Sequence, residues 1–254
     1  MDNSIGIIIL AAGMGKRMKS DKAKVLHEIA GRPMIDYIVE VAADVAGSNV
    51  IVVVGHQAEQ VKQVVGRCHQ VRFALQPEQR GTGHAVACAI PEVPDVVDSV
   101  VVLCGDVPLI RSATIRQLVD DHRAHQRDVT VLSARVPDPT GYGRVIMDAD
   151  GRLTAIVEQA DANEAQQKID VINTGFYVIE KSFLAFALPL LDCDNAQNEV
   201  YLTDIISLGH RHHRNIGAMM GSDSDEILGV NSQAELHMAE KLMIMRGCEP
   251  ACER

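Results

Sequence analysis

Four short runs of branched apolar residues alternate with helical patterns through the first half of the chain. The runs occupy 5–10, 50–54, 71–75 and 99–103, and the helical patterns lie around 33–46, 57–66, 82–90 and 112–125. A branched apolar run without polar alternation is typical of a strand covered on both faces. The alternation therefore predicts a mainly parallel sheet with helices on both faces, and such sheets bind ligands at the carboxyl ends of their strands.

The pattern changes after residue 127. Strand-like segments at 129–136, 144–147, 153–158 and 171–179 are separated by loops rich in Gly, Pro and Asp, which predicts hairpins. Helical patterns follow at 182–191, 202–210 and 232–246, with a short strand at 216–220. We therefore expect a Rossmann-like α/β fold with a mixed, mainly parallel sheet and a small antiparallel lobe that forms a second wall of the cleft.

Composition limits the core and the partners. Apolar residues make up 47% of the 254 residues but aromatic residues only 3%, so the core must consist of Val, Ile, Leu, Ala and Met. The formal net charge of −10 opposes general binding to nucleic acids or acidic lipids. We therefore expect neither a nucleic acid nor a membrane as a partner, and a bound anion would have to be neutralised locally.

The cysteines and the amino terminus indicate a cytoplasmic location. The six cysteines are scattered, and Cys248 and Cys252 have no second pair nearby that would complete a zinc ribbon. The start lacks the basic region of a signal peptide, and no apolar run approaches the roughly 20 residues of a membrane span. These features predict reduced thiols in the cytosol.

The first predicted strand runs into a glycine loop and a block of positive charge. Lys and Arg occupy positions 16, 17, 19, 22 and 24, beside one acid, Asp21. Exposed backbone N–H groups and local positive charge suit phosphate oxygens. The loop is not a P-loop, because Arg17 follows Gly15 and Lys16, and Met18 stands where a dinucleotide fingerprint needs its third glycine. By itself the stretch is equally compatible with a tight turn and a solvated basic face.

Two further loops follow predicted strands at the same edge of the sheet. Asp106 comes directly after the run at 100–104, where a carboxylate can hold Mg²⁺ against a triphosphate or can simply form a turn before Pro108. Gln76 begins a loop that contains Gly81 and Gly83, and an amide with exposed backbone can match the edge of a pyrimidine. The alternative for this loop is a flexible segment that ends at an N-cap formed by Thr82.

Taken in order, the motifs of the chain resemble those of the sugar-nucleotidyltransferase family. The motifs are Leu10-Ala-Ala-Gly-x-Gly-x-Arg-Met, Lys24-Val-Leu-His, Gly81-Thr-Gly-His-Ala, Gly105-Asp-Val-Pro-Leu, Tyr142-Gly-Arg, Val157-Glu, Asn173-Thr-Gly, Glu199-x-Tyr-Leu-Thr-Asp and Gly229-Val-Asn. The resemblance extends from about residue 5 to the terminal helical pattern. Within the family, the chain is similar in particular to the uridylyltransferases that act on N-acetylglucosamine 1-phosphate. It implies a nucleotide-diphospho-sugar transferase fold, with a nucleotidyltransferase domain over residues 1–228 and a C-terminal helix and tail over 229–254.

The resemblance also implies substrates and residue roles. The substrates would be UTP and a sugar 1-phosphate, which is N-acetylglucosamine 1-phosphate. The cofactor would be Mg²⁺, and the products would be UDP-N-acetylglucosamine and pyrophosphate. Each implied role falls on residues of the motifs above: Arg17 and Lys24 would be catalytic and hold the triphosphate; Leu10, Ala11, Ala12, Gly13, Gln76, Gly81 and Thr82 would bind the nucleotide; Gly143, Glu158 and Asn173 would bind the sugar; and Asp106 and Asn231 would bind the metal.

The chain departs from the family pattern at several positions, and alternatives stay open. Cys104 replaces an aromatic residue, Ala160 replaces a lysine, Asn198 replaces a glycine and Val200 replaces a tyrosine. No hexapeptide repeats occur, so we expect no acetyltransferase activity, and the oligomeric state is left open. One alternative is a UTP- or dTTP-dependent enzyme that acts on glucose 1-phosphate. The other is a non-catalytic module that binds UDP-sugars.

Overall fold

A computed structural model describes residues 4–246 of the chain. Its strands are β1 (Ile5–Leu10), β2 (Glu28–Ile29), β3 (Arg32–Pro33), β4 (Val50–Val54), β5 (Arg72–Leu75), β6 (Ser99–Cys104), β7 (Val129–Arg135), β8 (Gly143–Met147), β9 (Leu153–Val157), β10 (Val171–Glu180) and β11 (Ile216–Met220). Its helices are α1 (Met34–Ala46), α2 (Ala58–Cys68), α3 (Thr82–Ala89), α4 (Ser112–Ala124), α5 (Glu164–Gln167), α6 (Lys181–Ala187), α7 (Asp204–Arg211) and α8 (Gln233–Met245). Cys248 and Cys252 lie outside the described residues.

The central sheet has the strand order β11-β7-β10-β6-β1-β4-β5. Strands β6, β1, β4 and β5 are parallel, and Ile8 of β1 pairs with Ile51 on one side and Val102 on the other. Strand β10 runs antiparallel to both β6 and β7, whereas β11 is parallel to β7. The sheet is therefore mixed and mostly parallel, with β10 as the reversed strand of this path, and this confirms the predicted fold class.

Helices cover both faces of the sheet. Ile7 and Ile9 of β1 join a buried cluster with α1, α2 and α4, whereas Ile8 joins a second cluster with α3, α6 and α7. Successive side chains of a strand point to opposite faces, which explains why one run of isoleucines serves both clusters. Each isoleucine buried in this way contributes about 1.5–3 kcal/mol of transfer free energy. The unbroken apolar run is thus the consequence of burial on both sides.

A small antiparallel lobe extends the sheet beside β10. Strand β8 pairs with both β9 and β10, and Asn173 of β10 lies opposite Gly143 of β8. The pairing of β10 with β7 is irregular between Asn173 and Tyr177, within which Gly175 has a φ of +83°. Glycine adopts this backbone conformation without the steric penalty that a Cβ would bring. Before the irregularity β10 lies between β7 and β8, and after it β10 lies between β7 and β6.

Two details of the predicted helix starts were wrong. Gly81 occupies the N-cap position of α3, and Thr82 is the first helical residue. The hydroxyl oxygen of Thr82 instead accepts a hydrogen bond of 2.9 Å from the backbone N–H of Leu202. The helical pattern around 33–46 places Pro33 at the first position of the helix, but Pro33 precedes the first residue of α1 and belongs to the short β2–β3 hairpin, which the apolar pattern did not indicate. A distant contact thus uses the Thr82 hydroxyl that local propensity would assign to a cap, and the hairpin uses the proline that local propensity would assign to the first turn of α1.

The terminal helix packs onto the main body. Ala239 and Met243 of α8 are buried in a cluster with Ile29 and Met34.

The division of the chain at residue 228 stays a prediction. In the part of the chain that the structure describes, no helix combines the length and apolar character needed to cross a membrane.

Candidate active site

A cavity of about 490 Å³ opens at the carboxyl ends of the parallel strands. Leu10 ends β1 and Cys104 ends β6, and these two residues pair with each other in the sheet. The predicted catalytic, nucleotide-binding and metal-binding residues all line this cavity: Leu10, Ala11, Ala12, Gly13, Arg17, Lys24, Gln76, Gly81, Thr82, Asp106 and Asn231. Residues from five separate parts of the sequence therefore converge on one space.

The glycine loop forms one wall of the cavity. The backbone N–H of Ala11 donates to the carbonyl of Val53, and the N–H of His56 donates to the carbonyl of Ala12, so the start of the loop is tied to the end of β4 and the loop after it. Gly15 has a φ of +62°, and a Cβ there would lie 2.5 Å from the Cβ of Lys24. Gly15 is thus required both by its backbone conformation and by the close passage of the Lys24 segment.

Lys24 lies at the centre of the predicted metal site. Its ammonium group forms an ion pair with Asp106 and donates a hydrogen bond of 2.6 Å to Oδ1 of Asn231. The Lys24 and Asp106 side chains are mostly buried, with exposed fractions of 14% and 21%. Arg17 also lines the cavity but is exposed and forms no ion pair with any other residue in the described range. Its guanidinium is therefore available to an anionic ligand.

Backbone contacts hold Asp106 and Asn231 together although they are distant in sequence. The backbone N–H of Val230 donates to the carbonyl of Asp106 over 2.8 Å. The N–H of Asn231 donates to the Glu235 carboxylate over 2.8 Å, and Ser232 caps the start of α8. The start of the terminal helix thus positions the asparagine beside the strand-end aspartate.

The donor set of this site fits Mg²⁺. Oxygen atoms of Asp106 and Asn231 already converge on one cation, the Lys24 ammonium. Mg²⁺ prefers oxygen ligands and is commonly held by one or two protein groups together with substrate phosphates and water. Within residues 4–246 no cluster of three or more His, Cys, Asp or Glu side chains forms a site that the protein alone would fill. A site with two protein ligands that is completed by a nucleotide is consistent with both observations.

The loop after β5 forms the opposite wall. Gln76 is buried, and its Nε2 donates a hydrogen bond of 3.0 Å to the carbonyl of Gly81. Gly81 has a φ of +106°, and a Cβ there would lie 2.5 Å from the carbonyl oxygen of Val200. The backbone N–H of Val200 in turn donates to the carbonyl of Arg80 over 2.7 Å. The segment around Val200 therefore supports the loop through its backbone.

The structure accommodates Asn198, one of the departures from the family pattern. Asn198 has a φ of +53°, in the left-handed region that a glycine would occupy without strain. Asparagine tolerates this region better than most other residues. The exposed loop can therefore keep the same backbone path with either residue.

The predicted sugar-binding residues form a group of their own beside the cavity. Gly143 lies opposite Asn173 in the sheet, and a Cβ on Gly143 would lie 3.3 Å from Oε2 of Glu158. These three residues are brought together, but they are not part of the lining of the main cavity. Cys104 connects the two regions, because it lines the cavity and its thiol would lie 2.8 Å from a Cβ on Gly175. Burial raises the pKa of the Cys104 thiol to about 12, so this side chain presents an uncharged surface.

Glu158 is held in an environment that opposes its ionisation. Burial raises the pKa of its carboxyl group, and the nearby Asp204 acts in the same direction. The hydroxyl of Thr203 opposes this effect by donating a hydrogen bond of 3.1 Å to Oε1 of Glu158. The ionised form of Glu158 is thus destabilised by burial, and any further hydrogen-bond donor, such as a hydroxyl of a bound sugar, would stabilise it.

Three polar residues with a bearing on the site are absent from the predicted set. Gln79 and Glu199 line the cavity, and Thr203 supports Glu158. Gln79 lies in the loop that Gln76 begins, and Glu199 and Thr203 fall within a motif that carried the family resemblance. The motifs therefore identified the segments that form the site, but only the folded structure shows where these three side chains lie.

The family model described as nucleotidyl transferase matches residues 6–237 of this chain. Among curated relatives, the bifunctional protein GlmU of Pelobacter propionicus is 47% identical over 97% of this chain, and that of Trichlorobacter lovleyi is 44% identical over 94%. These alignments cover 53% and 52% of the two relatives, so the chain spans about half of their length. The bifunctional protein GlmU of Desulfotalea psychrophila is 40% identical over 96% of this chain and 72% of its own.

A solved structure supports the same fold. A Bacillus anthracis protein assigned as a glucose-1-phosphate thymidylyltransferase, crystallised with a sucrose, superposes with a TM-score of 0.74 at 20% identity. The superposition covers 98% of this chain and 97% of that protein. From the family model and the curated relatives we conclude that the chain belongs to the nucleotidyl transferase family and is related through nearly its whole length to the GlmU proteins.

Proposed function

We propose that the protein transfers the uridylyl group of UTP to N-acetylglucosamine 1-phosphate and releases pyrophosphate. The observation that carries the proposal is the convergence of Arg17, Lys24, Asp106 and Asn231 in one cavity, with the Gln76 loop on its opposite wall. A cavity with both cations and metal-binding oxygens suits a triphosphate, and the Gln76 amide suits a base. The relatives named GlmU favour a uridylyltransferase among the members of this family.

The reaction needs alignment of the substrates more than proton transfer. The second pKa of a sugar phosphate is about 6, so the nucleophile is mostly ionised at neutral pH and needs no general base. A phosphate oxygen of the sugar phosphate attacks the α-phosphorus of UTP while the bond to pyrophosphate breaks on the opposite side. No covalent enzyme intermediate is required. The protein must instead bring two anions together in line, and bound cations lower their mutual repulsion.

Arg17 and Lys24 would supply the protein's share of that charge. Arg17 is exposed in the cavity and can bind phosphate oxygens in a bidentate manner. Lys24 can turn from Asp106 and Asn231 to the triphosphate, and the two oxygens would then be free to hold Mg²⁺. A bound Mg²⁺ would supply charge stabilisation at the phosphates.

The sugar group would bind beside the main cavity. Glu158 can accept hydrogen bonds from sugar hydroxyls, and burial makes each such bond more valuable to the carboxylate. The Asn173 side chain already accepts a hydrogen bond of 3.0 Å from the backbone N–H of Gly175 through Oδ1, which leaves its amide N–H groups to donate to an acetamide carbonyl. Glu158 can serve either hexose, whereas the free amide N–H groups of Asn173 favour N-acetylglucosamine 1-phosphate over glucose 1-phosphate.

The experiment is a kinetic comparison of acceptors and nucleotides. Pyrophosphate release would be measured for UTP and dTTP, each with N-acetylglucosamine 1-phosphate, glucosamine 1-phosphate and glucose 1-phosphate. We expect the highest kcat/KM for UTP with N-acetylglucosamine 1-phosphate. A higher value for either nucleotide with glucose 1-phosphate would favour the alternative substrate. Binding of UDP-N-acetylglucosamine without turnover of any pair would favour the non-catalytic module.

We also propose that the reaction takes place in the cytoplasm. The four cysteines within the described part of the chain, Cys68, Cys88, Cys104 and Cys193, are all free thiols, as a reducing compartment would keep them.

A further inference from the structure

The Gln76 carboxamide is fixed in one of its two orientations by its neighbours. Gln76 is 3% exposed, and its Nε2 lies 3.0 Å from the carbonyl oxygen of Gly81. The same Nε2 lies 3.2 Å from Nδ1 of His84. A flipped amide would set its oxygen against the Gly81 carbonyl oxygen, so the NH₂ group must face Gly81 and His84. The remaining atom of the amide, Oε1, then faces elsewhere.

The state of the His84 ring follows from the buried amide. Nδ1 of His84 lies within hydrogen-bond distance of both Gln76 Nε2 and, at 3.1 Å, the carbonyl oxygen of Glu78. A neutral ring nitrogen serves only one of them, because it either accepts from Gln76 or donates to Glu78. The contact with Glu78 is exposed and water can replace it, whereas the buried amide N–H has no such substitute. Nδ1 is therefore the acceptor, and the ring proton resides on Nε2, which lies 3.6 Å from the thiol of Cys88.

The two contacts leave Oε1 of Gln76 for a ligand. In residues 4–246 this oxygen accepts no hydrogen bond, and Gln76 lines the nucleotide cavity, whereas His84 lies behind it and outside the lining. An acceptor at this place matches a pyrimidine with an N–H at ring position 3, which uracil and thymine have. Cytosine carries a lone pair at that position, so its nitrogen and Oε1 would repel each other.

We propose that His84 is a positioning residue that holds the Gln76 amide with its oxygen toward the base, and that the cavity thereby accepts uracil or thymine and rejects cytosine. The inference rests on the proposed function in that it takes the cavity to hold a nucleoside triphosphate. The role of the Gln76 amide toward the base belongs to that proposed function, and the new element is the positioning role of His84, a residue outside the cavity lining.

The test compares three substitutions of His84 that differ in where they place an acceptor. His84→Asn puts an amide oxygen at the position of Nδ1, His84→Gln moves the amide to the position of Nε2, and His84→Leu removes the acceptor altogether. The ratio of kcat/KM for UTP to that for CTP would be measured with N-acetylglucosamine 1-phosphate. We expect the ratio to fall by about tenfold in the Leu and Gln variants, because a factor of about ten corresponds to the energy of one hydrogen bond. In the Asn variant the ratio should stay within about threefold of the wild type.

Dissociation constants of UTP and CTP for the same variants, measured without sugar phosphate, separate this inference from the proposed function. If no transfer occurs, the ratio of the two dissociation constants still reports the choice of base. A ratio that falls in the Leu and Gln variants and recovers in the Asn variant supports the role of His84. An unchanged ratio in all three variants, each folded by circular dichroism, would overturn it. If the Leu variant does not fold, the contrast between the Asn and Gln variants decides.

Discussion

Lys24 donates a hydrogen bond of 2.6 Å to Oδ1 of Asn231, a residue more than two hundred positions away in the sequence. The same ammonium group forms an ion pair with Asp106, so one protein cation bridges both proposed ligands of the metal. A divalent cation can reach these oxygens only if Lys24 moves away. The triphosphate is the natural new partner for the lysine, and nucleotide and metal should therefore assist each other's binding.

This bridge predicts a measurable change in metal affinity. Lys24→Met keeps an unbranched side chain that is shorter by one atom and removes the charge that competes for Asp106 and Asn231. In the absence of nucleotide we expect the variant to bind Mn²⁺ about tenfold more tightly than the wild type, because no ion pair has to be broken. Paramagnetic resonance of free Mn²⁺ measures the affinity directly. Lys22→Met, which removes an exposed partner of Glu28 from the same segment, is the control and should bind Mn²⁺ like the wild type. Equal or weaker binding in Lys24→Met would contradict the competition.

Asp106→Ala should remove the metal-dependent reaction while the protein stays folded. We expect kcat/KM in the presence of Mg²⁺ to fall at least about a hundredfold, since one of the two charged or polar ligands is lost. Thermal unfolding would verify that the fold is intact. Asp120→Ala, at an exposed position of α4, is the matched control and should leave the rate unchanged. A rate near that of the wild type in Asp106→Ala would exclude Asp106 from the metal site.

The contact between Thr203 and Glu158 predicts a shift in the pH dependence of sugar binding. Burial raises the pKa of Glu158, so the carboxylate becomes protonated as the pH falls through a value above its usual range. Binding that needs the charged form is then lost on the acid side. Thr203→Val removes a donor that favours the charged form and should move this acid limb of kcat/KM for the sugar phosphate to higher pH.

Thr203→Ser keeps the hydroxyl group and is the control for that shift. Ionisation of the sugar phosphate affects all variants equally, so the difference between the Val and Ser profiles isolates Glu158. Superimposable profiles would show that Thr203 has no influence on the group that titrates.

Asn198 predicts a difference in stability between two small substitutions. Because its φ is +53°, Asn198→Ala places a Cβ in the left-handed region without the local hydrogen bonding that asparagine offers. We expect the alanine variant to lose about 1 kcal/mol of unfolding free energy relative to the glycine variant at the same exposed position. Urea unfolding of Asn198→Ala and Asn198→Gly checks the order. Equal stabilities would indicate that the loop relaxes to a different backbone conformation.

The elements of the fold could be predicted largely because burial on both faces leaves a simple pattern. Ile7, Ile8 and Ile9 had to be apolar whatever else the chain does, and the bounds of the main strands followed from such runs. The insertion of β10 between β6 and β7 could not be predicted, because pairing between distant strands leaves no local pattern.

The sequence indicated which segments form the site, but it indicated only some of the side-chain contacts within the site. The glycine loop and Asp106 were recognisable as strand-end features, and the family motifs supplied Glu158 and Asn231. The bridge formed by Lys24 and the support of Glu158 by Thr203 join residues far apart in sequence, so neither spacing nor residue type indicates them. Thr82 illustrates the same limit, since a partner at Leu202 takes the hydroxyl group that was expected to cap its own helix.

The most direct measurement is the formation of UDP-N-acetylglucosamine from UTP and N-acetylglucosamine 1-phosphate, followed together with pyrophosphate release in the presence and absence of Mg²⁺. The proposed function predicts equal amounts of the two products, formed only when Mg²⁺ is present. Pyrophosphate release that is independent of the sugar phosphate, or no release under any of these conditions from protein shown to be folded, would contradict it.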